Sequence, residues 1–267
     1  MKIKDKISII IPTYNAEDYT IKCLKSIKKY TSHLDYEIIW VDNGSSRESR
    51  EKVMKELKNH KYKTIWAGER LGFVKAINLG IEHSDGKYIV FQNNDTLVTK
   101  HWLDNMLYPL INDDMIMIAG PNTTESTSQQ SWNLLNQNKR RWGGYAKFPD
   151  LSKYKLNELE QLVDVLEKKF NKLYVEFEVV AFFSCVLKRE IIDKVGLLDE
   201  DFKEGYYDDD HFCYKVREEG YKIVYVPTSY VHHFTTVTFT QLYTWNELYK
   251  MHRENEEILK RKKLGEY

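Results

Sequence analysis

The segment Gly205–Phe212 reads GYYDDDHF and places three carboxylates, Asp208, Asp209 and Asp210, side by side between aromatic residues. Three adjacent like charges repel one another, and a fold gains little from them. A group of this kind suits proton chemistry. Each carboxylate raises the pKa of its neighbours, which turns a weak base into one able to take a proton from a hydroxyl. A structural role competes with that one. Acids are favoured at helix starts, and a helix is expected over Phe212–Glu219. One acid suffices as a cap, so both roles can coexist.

The elements that must position this cluster are legible in the first half of the chain. Ile7–Ile11 is a continuous apolar run and predicts a buried strand. Further strands are expected at Tyr36–Val41, Tyr62–Ala67, Tyr88–Phe91 and Met115–Ala119. Helical spacing marks Asp18–Tyr30, Ser46–Leu57, Phe73–Glu82 and Trp102–Ile111. This alternation implies an α/β fold, a mostly parallel sheet with helices on both faces. Ligands of such sheets bind beyond the carboxyl ends of the strands. Three polar loops fall there: PTYN (Pro12–Asn15), DNGSS (Asp42–Ser46) and QNNDT (Gln92–Thr96). Each alone could be a plain turn; three on one edge favour a ligand site.

The segment 122–173 breaks the rhythm and reads as an excursion with its own amphipathic helix over Leu156–Phe170. It is either a packing helix or a wall that selects an acceptor. Glu176–Leu187 predicts a long strand or a strand pair, and Tyr221–Val226 another strand. Residues 1–240 are expected to form one domain. A charged helical tail is expected over 241–267.

Lys+Arg and Asp+Glu both number 40, so the net charge is zero, which argues against a nucleic-acid binder. The three cysteines, Cys23, Cys185 and Cys213, are scattered and suit a reducing compartment. No window reaches the ~20 apolar residues of a membrane span. The expected location is the cytoplasm, with at most peripheral contact at the inner membrane face. The basic run Lys260–Lys263 reads as a solvated helix end, since it lacks an apolar face for anchoring.

Taken in order, the motifs SIIIPTYNAEDYTIKCLKSI, YEIIWVDNGSS, LGFVKAINLGI, GKYIVFQNNDT and VGLLDE…YYDDDHFCYKVREEGYKIVYVP resemble a family 2 glycosyltransferase of the GT-A (Rossmann-like) fold. The resemblance runs from about Ile7 to about Phe239, is weakest over 122–173, and is closest to bacterial rhamnosyl- and surface-glycan-type transferases. It implies an enzyme that binds a nucleotide-diphosphate sugar through residues 1–120 and an acceptor through 121–240, neutralises the leaving diphosphate and deprotonates an acceptor hydroxyl. Pro12, Thr13, Tyr14 and Asn15 would line the nucleoside pocket, with Asn43 beside them. Asp42 would accept from the base or ribose, or serve as a turn cap. LGFVKAINLGI would approach the donor through Gly72 and Lys75. Arg70 replaces the asparagine usual before it and would contact a phosphate or point to solvent.

Asn93-Asn94-Asp95 stands at the family's DxD position. Asn93 replaces the first acid, and Asp95 retains the carboxylate that would ligate Mn²⁺ or Mg²⁺, with Asn94 near the nucleotide. His233, in HHFTTVTF, matches the family's late histidine and would complete the metal site; His232 is the neighbouring alternative, and Thr235 stands where a glycine is usual. The resemblance makes Asp209 the general base and Asp208 its orienting partner. The implied reaction is inverting transfer from a UDP-sugar, or from dTDP-rhamnose, to a glycan, lipid-linked or protein acceptor. The rivals are a sugar nucleotidyltransferase, a non-catalytic sugar-binding module and a paired-carboxylate hydrolase. The first would need a glycine- and lysine-bearing phosphate loop, which PTYNAED is not.

Overall fold

The computed structural model describes residues 3–123, 155–235 and 237–265. The expected excursion over 122–173 therefore lies partly outside the described residues. The chain runs β1 (Ile7–Thr13), α1 (Glu17–Thr31), β2 (Tyr36–Asp42), α2 (Arg47–Leu57), β3 (Tyr62–Trp66), α3 (Phe73–Glu82), β4 (Tyr88–Gln92), β5 (Thr96–Val98), α4 (Trp102–Asn112) and β6 (Ile116–Asn122). From residue 155 onward come α5 (Leu159–Phe170), β7 (Val175–Phe177), β8 (Ser184–Lys188), α6 (Glu190–Val195), α7 (Asp208–Glu218), β9 (Lys222–His233), α8 (Phe239–Leu242) and α9 (Trp245–Leu264). The sheet order is β3-β2-β1-β4-β8-β6-β9-β5, with β7 also pairing with β9.

Strand β1 shows why this sheet is covered on both faces. Every residue of ISIIIPT is buried. Ile7, Ile9 and Ile11 pack with Cys23 and Leu24 of α1, Val53 of α2 and Leu103 of α4. Ile10 points the other way, into a cluster with Val74 and Ile77 of α3, Ile191 of α6 and Phe212 of α7. Side chains alternate across a strand, so a run buried at every position, with isoleucines on both faces, needs helices on both sides. Burial of each isoleucine contributes about 1.5–3 kcal/mol, which makes β1 a rigid anchor for the loop at its carboxyl end. Gly80 lets α3 lie directly on β1: a Cβ there would stand 2.3 Å from the Cγ2 of Ile10.

The parallel core is β3-β2-β1-β4, and β6 is also parallel to β9. β8 runs antiparallel to both β4 and β6, and β5 and β7 run antiparallel to β9. Three expectations are sharpened. The stretch Glu176–Leu187 is two strands separated by a loop over 178–183. The strand expected at Tyr221–Val226 continues to His233, twelve residues in all. The helix expected at Phe212 begins at Asp208, so all three acids lie inside its first turn.

Candidate active site

A cleft of about 650 Å³, open to solvent, lies at the carboxyl ends of β1, β2 and β4. Pro12, Thr13 and Tyr14 line it from the first loop, Asn43 from the second, and Asn93, Asn94 and Asp95 from the third. Arg70, Phe73, Glu204, His233 and the segment Val237–Phe239 complete the wall. The three polar loops thus meet, as the strand-end rule requires.

The loops are tied to one another. The Asn43 amide N–H donates to the Thr13 carbonyl at 2.8 Å. Its side chain accepts from Leu71 N–H at 2.7 Å and donates to the Gly72 carbonyl at 3.2 Å. Asn43 therefore splints the β1 loop to the turn that opens α3. Gly72 has φ of +87°, and a Cβ would stand 2.7 Å from the Lys203 carbonyl oxygen, so this turn admits only glycine without displacing its neighbour. Asn15 is committed to the second loop: its Oδ1 accepts from Ser46 N–H at 2.9 Å. Asp42 sits opposite Thr13 in the β1–β2 register. One Asp42 oxygen accepts from Ser45 N–H, while the other, Oδ2, is buried without a partner. An unpaired buried carboxylate oxygen costs free energy unless a ligand completes it. Asn15, Asp42, Gly72, Lys75 and the two acids Asp208 and Asp209 are not on the cleft wall itself. Lys75 is about half exposed and faces Glu200 at 3.7 Å.

Arg70 is held in the cleft by aromatic and acidic partners. It donates to the Tyr243 hydroxyl at 2.9 Å and pairs with Glu204. Its guanidinium lies 5.4 Å from the Tyr14 ring centre and 5.5 Å from that of Tyr243. Its Nε is buried and unpartnered. Asn94 is anchored beneath the cleft by donating to Thr20 Oγ1 at 3.0 Å.

Strand pairing brings Asp95 and His233 together. β5 pairs with β9 so that Thr96 faces His233, and the Asp95 carboxylate lies 3.2 Å from His233 Nε2. The His233 ring stacks on Phe183 at 4.9 Å, nearly parallel, which fixes the plane of its nitrogens. His232, next along the strand, points to the other face. It contacts Phe234 and the Tyr230 hydroxyl, and burial followed by the His233 charge lowers its pKa to about 4. Of the two histidines, His233 is the one at the cleft. Among the described residues no group of three or more His, Cys, Asp or Glu could hold a metal. Asp95 and His233 are nonetheless a fitting pair for a hard-to-borderline divalent cation whose remaining ligands are phosphate oxygens and water.

The acidic turn follows three left-handed residues, Gly205, Tyr206 and Tyr207, with φ of +106°, +65° and +68°. Consecutive non-glycine residues in that region are strained and persist only when neighbours impose them. The neighbour is Asn255 of α9, whose buried Nδ2 donates to the carbonyls of Gly205 at 2.7 Å and Tyr206 at 3.1 Å. The C-terminal helix thereby sets the acidic turn. The Asp208 carboxylate reaches the same spot above Gly205 as the Phe73 ring of the cleft wall. Burial raises Asp208 to about 7 and pushes Asp209 well above the usual carboxylate range, helped by the charges of Asp208 and Asp210. Asp210 is also raised, by burial.

Sequence reasoning missed Phe73, Phe183, Glu204, Tyr243 and Val237–Phe239. Phe73 begins an expected helix and carried no polar signal. The others come from loops and from the expected tail, and no spacing rule places them at the cleft.

Residues 8–196 match the model of glycosyl transferase family 2, and the chain belongs to that family. Glycosyltransferase GlyA of Streptococcus pneumoniae is 26% identical over 227 residues, which are 82% of this chain and 32% of that protein. The chain thus spans about a third of that relative. Among solved structures, the mannosyltransferase PcManGT of Pyrobaculum calidifontis, in complex with GDP-Man and Mn²⁺, aligns with a TM-score of 0.62 at 17% identity, covering 88% of this chain and 59% of that one. GalNAc-T7 with UDP, GalNAc and Mn²⁺ aligns with a TM-score of 0.65 at 19% identity, covering 87% and 44%. The fold is GT-A. No described helix is long and apolar enough to cross a membrane.

Proposed function

We propose that the chain transfers a sugar, with inversion, from a nucleotide-diphosphate donor to an acceptor hydroxyl. The observation that carries this reading is the Asp95–His233 pair, 3.2 Å apart on the wall of a cleft built from three strand-end loops. The nucleoside lies against Pro12, Thr13 and Tyr14. Asp42 Oδ2, buried and unpartnered behind that wall, accepts from the imide N–H that uracil and thymine share, which fits a UDP-sugar or dTDP-rhamnose. Asn43 and Asn94 hold the loops in register, and Arg70 faces the phosphates. Asn15, Gly72 and Lys75 frame the donor side from behind the wall.

Asp95 and His233 would hold Mn²⁺ or Mg²⁺, and a bound cation there supplies charge stabilisation for the leaving diphosphate. Asp209 accepts the acceptor hydroxyl proton as the new C–O bond forms at the anomeric carbon. The bond from that carbon to the diphosphate oxygen breaks, and its electron pair leaves with the nucleotide. Asp208 orients the acceptor. The raised pKa of Asp209 makes it a stronger base than an ordinary carboxylate, which suits it to take this proton. Transfer to a glycan, lipid-linked or protein acceptor then takes place in the cytoplasm, with at most peripheral membrane contact.

The test is a donor-hydrolysis screen: a panel of nucleotide sugars with Mn²⁺, Mg²⁺ or EDTA, reading released nucleoside diphosphate. Metal-dependent release from one donor is expected. With a transferred product in hand, Asp209→Asn lowers kcat about 10²–10⁴-fold and leaves nucleotide affinity unchanged. Retained anomeric configuration in the product, read by proton NMR, would overturn inversion.

A further inference from the structure

The amino-terminal half of α9 exposes two large aromatic side chains on one flank. Trp245 is 71% exposed and Tyr249 69%. They are four residues apart, and His252 follows three residues later, so all three share one side of the helix. Leu248, Asn255 and Leu259 are the buried stripe that docks the helix, so the aromatic flank is not needed for packing.

This flank continues into the cleft. Phe239, which lines the cleft, stacks on Tyr206 at 5.3 Å and 15°. Tyr206 meets the His252 ring edge-on at 5.8 Å, and Tyr207 meets it at 4.8 Å. The Tyr207 hydroxyl is hydrogen-bonded to His252 Nε2 at 3.2 Å. The ledge therefore runs from Trp245 and Tyr249, past His252, to the two tyrosines that directly precede Asp208–Asp210. Along the helix axis alone, Trp245 to His252 covers about 10 Å.

We propose that this ledge binds an oligosaccharide acceptor and leads its terminal hydroxyl to the acidic turn. The proposal rests on the glycosyl-transfer reading and names its acceptor class, a glycan chain. Flat aromatic faces with hydroxyl and imidazole edges match a sugar ring, which offers C–H groups on its faces and hydroxyls around its rim. Charge gives a lipid surface no advantage. Over the first half of α9, Glu247 and Glu254 balance Lys250 and Arg253, so this flank has no basic excess to draw anionic headgroups.

The experiment uses the full chain and a printed array of defined bacterial and mammalian oligosaccharides of graded length. Calorimetric titration of UDP and dTDP, and co-sedimentation with phosphatidylglycerol-containing vesicles, run in parallel. Binding to at least one glycan is expected, stronger for longer chains and weakened about tenfold by Trp245→Ala or Tyr249→Ala, with nucleotide affinity and melting temperature unchanged. Glycan binding indifferent to both variants overturns the ledge. So does a silent array, and so does vesicle binding lost in the variants without glycan binding. In each case retained nucleotide binding leaves the transferase reading standing, whereas loss of nucleotide binding in the unaltered chain sinks that reading instead.

Discussion

Replacing Asp208 by Asn should make the protein more stable at alkaline pH than at acidic pH, relative to the unaltered chain. Burial holds this carboxyl at about 7 against an ordinary 3.8. The sign follows from linkage. A carboxylate whose folded pKa is raised resists ionisation in the folded state. Its contribution is intact below pH 3.8 and is lost as pH rises through about 7. That rise corresponds to on the order of 4 kcal/mol, and Asn removes that ionisation cost. The new amide also leaves a donor in a site where Asp208 Oδ2 has no partner, an offset of about 1–3 kcal/mol that does not vary with pH. The diagnostic is therefore the difference between two stability curves. Urea unfolding of both proteins from pH 4 to pH 8.5 should show the variant gaining steadily on the original between about pH 4 and 7 and the difference levelling off above that. The acid limb of kcat/KM should move to lower pH, because Asp209 loses a repelling neighbour. Parallel stability curves would refute the claim that the acidic turn is held against its own charge.

Three further outcomes are expected. Asp95→Asn should cut metal-dependent donor hydrolysis about 10–100-fold and raise the Mn²⁺ concentration needed for half-maximal rate, read in a metal titration. Glu204→Gln should tighten nucleoside-diphosphate binding severalfold at low salt, since it leaves the Arg70 charge unbalanced in the cleft; calorimetry at two ionic strengths reads both the gain and its screening. Gly72→Ala should destabilise by about 1–3 kcal/mol through its positive φ and the contact with Lys203, measured by thermal melts, and should weaken nucleotide binding as the Asn43 splint shifts.

Much of the frame was legible in the chain. SIIIP reads as a strand buried on both faces, because three isoleucines in a row put apolar side chains on both sides and leave neither for water. The strand-helix rhythm then placed PTYN, DNGSS and QNNDT on one rim, because parallel strands with right-handed crossovers bring their carboxyl ends to the same edge. Those are local consequences of periodicity, and the cleft holds all three loops. The triplet Asp208–Asp210 was recognisable as unusual from its charge density alone.

What the sequence could not decide depends on long-range pairing. Whether His232 or His233 faces Asp95 is set by a one-residue choice of register between β5 and β9, and a slip of one residue would exchange them. That Arg70 meets Glu204 and Tyr243 joins residues more than a hundred positions apart. The helix expected to be a tail supplies Asn255, the clamp on the strained turn before the acids. Local pattern determines which face of an element is apolar and where its polar ends fall. Only the closed tertiary structure decides which of those ends meet, because that choice is made by packing between segments that share no periodicity.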